Sequence, residues 1–562
     1  MADPVLRAWC VASVVWGCCI PVAMAQDADA PAPAAQAPAA TATGVPPVLP
    51  TWAQLQAGGA VIGEVRINAQ DIFDLNDPRE SGALYRLANA LHIKTRPGVI
   101  ERSLLFKRGD LLLVQRIEES ERLLRSNPFL YDVSIQPIAY RDGVVDLEVK
   151  TYDTWSLTAG ANVSRSGGAN TTGLKFQEKN FLGTGLSLGL TSSSNPDRKG
   201  TEFELSHRHT LGNWNEVSYK QAKYDDGTSQ AFSFQRPFYA LDTRWAAGIE
   251  TSSDNRLISA YGSGGTLVDQ YRLKQKKLEV FRGWSDGLVN GWTRRYSLGL
   301  AYQDDVYSPA PSFVSPALPA DQRLVTPFVR LEVVQDNFEK LSNRDQIGRT
   351  EYFANGFAMK AQVGRSFTAL GSSRNLWDYE GSISDGYDVA GNDLLVSAAI
   401  AGQYGDGKNQ HQAVGAAARY YVTHSKHARM VVSAAVNATS SRDTVDLLQL
   451  GGDNGLRGYP LRYQSGQRRS LLSVEERFYS DVFLLRLFRV GGAVFYDAGR
   501  AWGGANPNPV NPGWLSDIGF GLRIFSVRAA KGSVLHLDFA FPLKRDPCIK
   551  PFQVLLKTKA SF

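Results

Sequence analysis

From about Trp155 to Phe562 the chain is a succession of short alternating segments broken by Gly, Asn, Asp and Pro. Leu186, Leu188 and Leu190 interleave with Ser187, Gly189 and Thr191. Ile518, Phe520, Leu522 and Ile524 interleave with Gly519, Gly521 and Arg523, and Leu535, Leu537, Phe539 and Phe541 with His536, Asp538 and Ala540. Such strands suit a surface with lipid on one side and a polar interior on the other. Arg523, His536 and Asp538 belong inside, because an arginine facing lipid at the midplane costs roughly 2–4 kcal/mol. No run of ~20 apolar residues follows the N-terminus, so helical membrane spans are excluded. The expectation is an all-β transmembrane barrel of about sixteen antiparallel strands. Trp155, Trp245 and Tyr387, near strand ends, fit interfacial aromatic girdles.

The N-terminus reads as a signal peptide over residues 1–25: Arg7, an apolar stretch from Trp9 to Val22, then Ala23-Met24-Ala25. Cys10, Cys18 and Cys19 leave with it, so Cys548 alone remains and neither an internal disulfide nor a cysteine-based zinc site can form. Residues 26–60 are an Ala/Pro-rich linker. Residues 61–153 carry a different pattern. Val61 to Ile67 alternates as a strand. Glu80 to Ile93 has helical spacing with Leu84, Leu87, Ala88 and Leu91 on one face, and Val114 to Arg125 is a second helix. Strands near Tyr131–Ile138 and Val144–Tyr152 flank the turn Asp142-Gly143. The order β-α-α-β-β predicts a small α+β domain with both helices covering one face of a three-stranded sheet. Its free sheet edge could accept a strand from an extended partner, or the domain could simply support the barrel. Residues 154–562 are the barrel.

Lys and Arg number 61 against 55 Asp and Glu, a net +6 without a long basic block, so nucleic acid is not an expected partner. Gly185-Leu186-Ser187-Leu188-Gly189 matches a serine-hydrolase pattern but sits within a strand. His207 and His209 share a strand face without an evident third ligand. No catalytic residue, metal site or cofactor is expected.

The segment Gly451 to Pro460, with Leu456-Arg457-Gly458-Tyr459 at its centre, stands apart. An arginine drawn into a barrel lumen needs acceptors. Glu475 shares parity with Ser473 and Arg477, and Asp497 is opposite in parity to Val494 and Tyr496, so both carboxylates can point inward. A solvated surface loop is the alternative reading. Gly458 would permit a close turn and a positive φ, and Tyr459 would pack on the wall.

These residues resemble the Arg-Gly-aromatic motif of the BamA/TamA superfamily of outer-membrane assembly and translocation proteins, as in bacterial surface antigens. Leu472 to Glu475, Gly492 to Gly499, Phe181 to Gly185 and Gln235 to Tyr239 resemble neighbouring strands of that family, and residues 61–153 resemble one POTRA domain. The resemblance implies that Arg457 is a loop latch received by Asp497 and Glu475, with Gly458 and Tyr459 beside it. It implies outer-membrane localisation with the N-terminal domain in the periplasm, and a seam between the first and last strands that opens. The last strand, with Phe552, Val554, Leu556 and Phe562 on one parity, resembles the aromatic-ended signal by which such barrels are recognised for assembly. The implied function is non-enzymatic assembly, insertion or translocation of unfolded or extended client proteins. Implied partners are those clients, outer-membrane lipids and an accessory periplasmic or inner-membrane protein. A two-partner secretion exporter and a passive porin or adhesin are the alternatives; a single POTRA-like unit counts against the exporter.

Overall fold

A computed structural model describes residues 49–562 except 316–317, 442–446, 505–512, 529–533, 548 and 560–562. The predicted signal peptide, most of the linker and Phe562 lie outside the described residues.

Twenty strands close into one barrel, each antiparallel to its neighbours in chain order. The expected count of about sixteen was too low. Alternation reports which face each residue takes, not how many strands share the wall, and each segment's signal is weak. The paired strands Phe338–Ser342 and Thr350–Ala354 alternate too, yet leave the wall and fold as an insertion between its strands Gln322–Gln335 and Ala358–Arg365. The outer face is apolar: Val494, Ile518, Phe520, Leu522 and Phe541 are all exposed. Arg523, His536 and Asp538 are buried on the inner face. Trp245 and Tyr387 are exposed near strand ends.

Before the barrel stands an α+β unit: α1 (Trp52–Ala57), β1 (Val61–Gln70), α2 (Ala83–Leu91), α3 (Pro97–Glu101), α4 (Val114–Arg125), β2 (Leu130–Arg141) and β3 (Val144–Asp153). The sheet order is β1-β3-β2, with β1 parallel to β3. Residues expected as linker supply α1, capped by Thr51 and burying Leu55. The core holds Leu55, Ile62, Val99, Ile100, Ile117, Leu124, Val133 and Leu147. α2 contributes nothing to it, contrary to the expectation that both predicted helices cover the sheet; the short α3 supplies Val99 and Ile100 instead. A leucine stripe states that a helix has an apolar face, not what that face meets.

The unit sits against the proximal end of the barrel, where the first strand (Leu157–Ser166) begins. Arg96 N–H donates to Gly183 O at 3.0 Å in one proximal turn, and Arg116 pairs with Asp242 in another at 3.0 Å. The opposite, distal end carries the loop bearing Arg457.

Candidate functional site: an inward loop, its carboxylates and the barrel seam

A twenty-stranded barrel is too wide for wall side chains to fill. Two in-folded segments occupy it. The distal one is a ribbon in which Leu448–Leu450 pairs with Gln464–Gly466, presenting residues 451–463 as its tip. The tip is packed: Leu450, Leu456, Tyr459 and Tyr463 form an apolar cluster with Ala501, Leu515 and Ile549.

Arg457 is 9% exposed. Its Nε and Nη2 donate to the two oxygens of Asp497 at 2.6 and 2.9 Å, and Nη1 donates to Glu475 Oε2 at 2.8 Å. The guanidinium carbon lies 3.3 Å from the centroid of Phe495. This fork-on-fork pairing with Asp497 fixes orientation as well as position. Around it the charges alternate. Glu475 also accepts from Arg477 Nε at 3.0 Å and Arg523 Nη2 at 3.3 Å, and Arg523 pairs with Asp538. Three arginines thus face three carboxylates, Arg457 from the loop and the other five residues from inward positions on adjacent strands. Arg477, Arg523 and Asp538 were not singled out as site residues, although strand parity alone places them on the inner face.

Gly458 donates its N–H to Asp517 Oδ2 at 3.0 Å. Its φ is not positive, contrary to expectation; within the tip, positive φ falls on Gly455 (135°) and Arg462 (55°). Glycine is needed here for proximity, since a Cβ would lie 2.8 Å from Asp517 Cβ and 3.0 Å from Pro542 N. Tyr459 is fully buried, its hydroxyl 3.0 and 3.1 Å from the carbonyls of Ser516 and Lys544.

The tip crosses the lumen to the first strands. Leu461 N–H donates to Gly167 O at 2.8 Å, Ser166 donates to Gly452 O, and Lys557 Nζ on the last strand donates to Asp453 O at 3.1 Å. Arg462 pairs with Asp197 and stacks on Tyr261, with its guanidinium carbon 3.8 Å from the ring centroid. The loop therefore touches both strands of the barrel's closing seam. Among the described residues that seam, between the last strand (Gln553–Lys559) and the first, registers only Leu556 with Arg165. The adjoining pair of strands registers from Val534↔Lys559 through Ala540↔Gln553. Phe552 is half exposed, and Val554 and Leu556 share its parity.

The proximal in-folded segment is the insertion at 336–357. Arg344 is fully buried, its guanidinium carbon 4.2 Å from the Phe353 centroid and 4.4 Å from the Tyr421 centroid. Arg477 Nη1 donates to Arg344 O at 3.1 Å, and Arg349 Nη2 donates to Leu130 O of the α+β unit at 2.8 Å. Glu351 accepts backbone N–H groups of Arg344, Asp345 and Gln346, while burial pushes its carboxyl up to about 7. At the outer side of this junction, a groove of about 660 Å³ is lined by Glu64 and Val65 of β1 and by Trp214 and Tyr239 of the barrel rim. The Trp214 and Tyr239 rings stack at 4.3 Å.

No protein-family model matches the chain, and no curated protein does. Among solved structures, it is similar to BamA from Haemophilus ducreyi lacking POTRA domains 1–3, at 14% identity and TM-score 0.41, over 89% of this chain and 84% of that one. It is also similar to CdiB from Escherichia coli at 14% identity and TM-score 0.44, over 90% and 77% of the two chains. For CdiB from Acinetobacter baumannii the values are 12% and 0.40, over 90% and 74%.

Proposed function

We propose that this chain is an outer-membrane barrel of the BamA/TamA type that assembles, inserts or translocates extended client polypeptides, without making or breaking covalent bonds. The observation that carries the reading is the seam. A barrel wall is held by its interstrand ladder, and among the described residues a single pair registers between first and last strands, a short join that another strand could replace. An apolar exterior suits lipid, and an α+β unit at the proximal end suits a POTRA-like domain in the periplasm. Here β1 pairs with a sheet neighbour on one side only, and beyond Ile62 its outer edge runs beside the Trp214–Tyr239 groove. That edge is where an extended client would first be held.

In this reading Arg457 is the latch of the inward loop and Asp497 and Glu475 its receptors. Phe552, Val554 and Leu556 belong to the strand recognised when the barrel is itself assembled. An accessory periplasmic or inner-membrane protein would deliver clients, and nucleic acid has no part.

Quantitative proteomics of outer membrane and culture medium from a strain lacking the chain tests this. Depletion of several outer-membrane barrels supports an assembly factor, and depletion of one supports a specialised insertase. Loss of one secreted protein, with the membrane intact, supports a two-partner exporter. An unchanged proteome in both fractions refutes the reading and leaves a passive porin or adhesin.

A further inference from the structure

α2 is built inside out. Its polar and aromatic positions face the protein: Asn89 bonds the backbone of Phe73 through both N–H and carbonyl, at 3.2 and 2.8 Å, and Tyr85 packs on the Phe73 ring at 4.8 Å. Its opposite face, Ala83, Leu84, Leu87, Ala90 and Leu91, is wholly apolar and open. Leu84, Leu87 and Leu91 are 54, 56 and 66% exposed, and no residue of the helix is buried. Single exposed leucines are ordinary, but a contiguous helical face of them is not. By contrast, α4 buries Ile117 and Leu124 in the core of the unit.

The position of the helix identifies what covers that face. Glu80, just before α2, bonds Arg528 at 2.8 Å, and the Tyr85 hydroxyl donates to Leu485 O at 3.2 Å, both in proximal turns of the barrel. Beyond its C-terminus, His92 sits 2.9 Å from Asp153, and Arg96 donates to Leu182 O at 3.1 Å. The helix is thus held against the proximal rim, between anchor points on either side of the seam. Exposed leucines stand on the rim there too, beside Arg486 and Arg528. Leu182 and Leu485 occupy turn positions with φ of 54° and 50°, where Gly or Asn is usual, and are 48 and 65% exposed. Val482 and Leu484 continue the exposed surface onto the outer wall. The leucine face of α2 therefore lies at the same proximal end as this edge of the barrel's apolar outer face. Arg86, Lys94 and Arg96 are exposed at its margin, where phosphate headgroups would lie.

We infer that α2 is an interfacial helix, its Leu84–Leu87–Leu91 face resting in the proximal leaflet of the membrane that the barrel spans, beneath the seam. The inference rests on the membrane reading above. It adds a lipid contact to the polar anchors that already hold the α+β unit at the proximal rim.

The test uses the whole exported chain in a Cys548→Ser background, with a single cysteine at Leu87→Cys, Ala90→Cys, Phe520→Cys or Glu118→Cys. Each is labelled with an environment-sensitive fluorophore and reconstituted in phosphatidylethanolamine–phosphatidylglycerol vesicles containing spin-labelled lipid. Heat-modifiable migration verifies folding of each variant. The expected result is blue-shifted emission and lipid quenching at 87 and 90 matching position 520 on the outer wall, with none at 118 on the solvated face of α4. Quenching at 520 with water-like emission at 87 and 90 overturns the inference while sparing the membrane reading. Quenching at 520 with blue-shifted but unquenched emission at 87 and 90 also overturns it, assigning the face to a protein. Absence of quenching at 520 overturns the membrane reading itself and the inference with it.

Discussion

Replacing Arg457 with alanine removes a guanidinium that makes three close charge-assisted bonds in a nearly dry site. Breaking a buried pair from one side costs about 3–5 kcal/mol, mostly because the remaining charge is stranded. Here the two acceptors fare differently. Glu475 keeps Arg477 and Arg523, whereas Asp497 is left with the Ser473 hydroxyl and the Asp517 side chain, neither of them a cation. One carboxylate is stranded, not two, so the cost belongs near the lower limit, about 3 kcal/mol. Arg457→Lys keeps the charge but cannot present a fork to Asp497 while reaching Glu475, and should cost about half as much. Because the alanine penalty is largely the unpaired Asp497, Asp497→Ala in the same chain should recover most of it, giving a coupling energy of about 2–3 kcal/mol. Urea unfolding of protein refolded into vesicles, read by heat-modifiable migration, measures all four corners of the cycle. Additivity of the two alanine variants to within about 0.5 kcal/mol would refute the argument that Asp497 is the stranded partner.

Gly458→Ala should destabilise the loop by about 1–3 kcal/mol through overpacking against Asp517 and Pro542, measured as a lower urea midpoint. The Arg462–Asp197 pair is more open, with side chains 16 and 48% exposed, so Asp197→Asn should cost under about 1 kcal/mol. Salt should mimic that variant and raise the frequency of large openings in planar bilayers, leaving the Arg457 cluster intact. For Glu351 the folded carboxyl lies at about 7 against an ordinary 4.5, so the folded state holds more protons between those values. Stability is therefore lost as pH rises from about 4.5 to 7 and stays lost above, by roughly 1–3 kcal/mol at most. Urea midpoints at pH 5 and 8 should differ in the native chain and converge in Glu351→Gln.

The inward orientation of Glu475 and Asp497 was legible from parity alone, because a two-residue period leaves no choice of face once Val494 and Tyr496 are set outside. The same rule placed Arg523, His536 and Asp538, yet could not say which carboxylate meets which cation. That depends on stagger between adjacent strands, which puts Ser473 opposite Asp497 and Asp497 opposite Asp517. The far anchors of the loop were invisible for a related reason. Gly167, Asp197 and Tyr261 are hundreds of residues away and carry no periodic signal; closure of the barrel brings them within reach. The helix at 83–91 was legible as an element and misjudged in orientation. Amphipathicity is symmetric between burial in a core and burial in a bilayer, and only the Tyr85 and Asn89 contacts decide which side turns in.

The two segments that fill the lumen share a wall residue. Glu475 receives Arg457 from the distal loop, and it also holds Arg477, whose other end donates to the carbonyl of Arg344 in the proximal insertion. From there Arg349 reaches Leu130, and Lys340 reaches Glu121 at 2.8 Å, both in the α+β unit. Side-chain bonds and the backbone of the insertion together therefore join the distal loop, the wall and the proximal unit. Withdrawing Arg457 removes one of three cations from Glu475, which strengthens its remaining hold on Arg477 and hence on the insertion. Opening at the distal end and tightening at the proximal end are then coupled through the same carboxylate. In the client-passing role proposed above, that coupling through a single shared acceptor would keep the two ends of a wide barrel from being unguarded at once. Glu475→Gln, which weakens all three bonds together, should loosen loop and insertion at once, whereas Asp497→Asn should loosen the loop alone. Amide exchange of residues 451–463 and 338–354, compared between those two variants, separates a shared acceptor from two independent plugs. Equal effects of both variants on the insertion would refute the coupling.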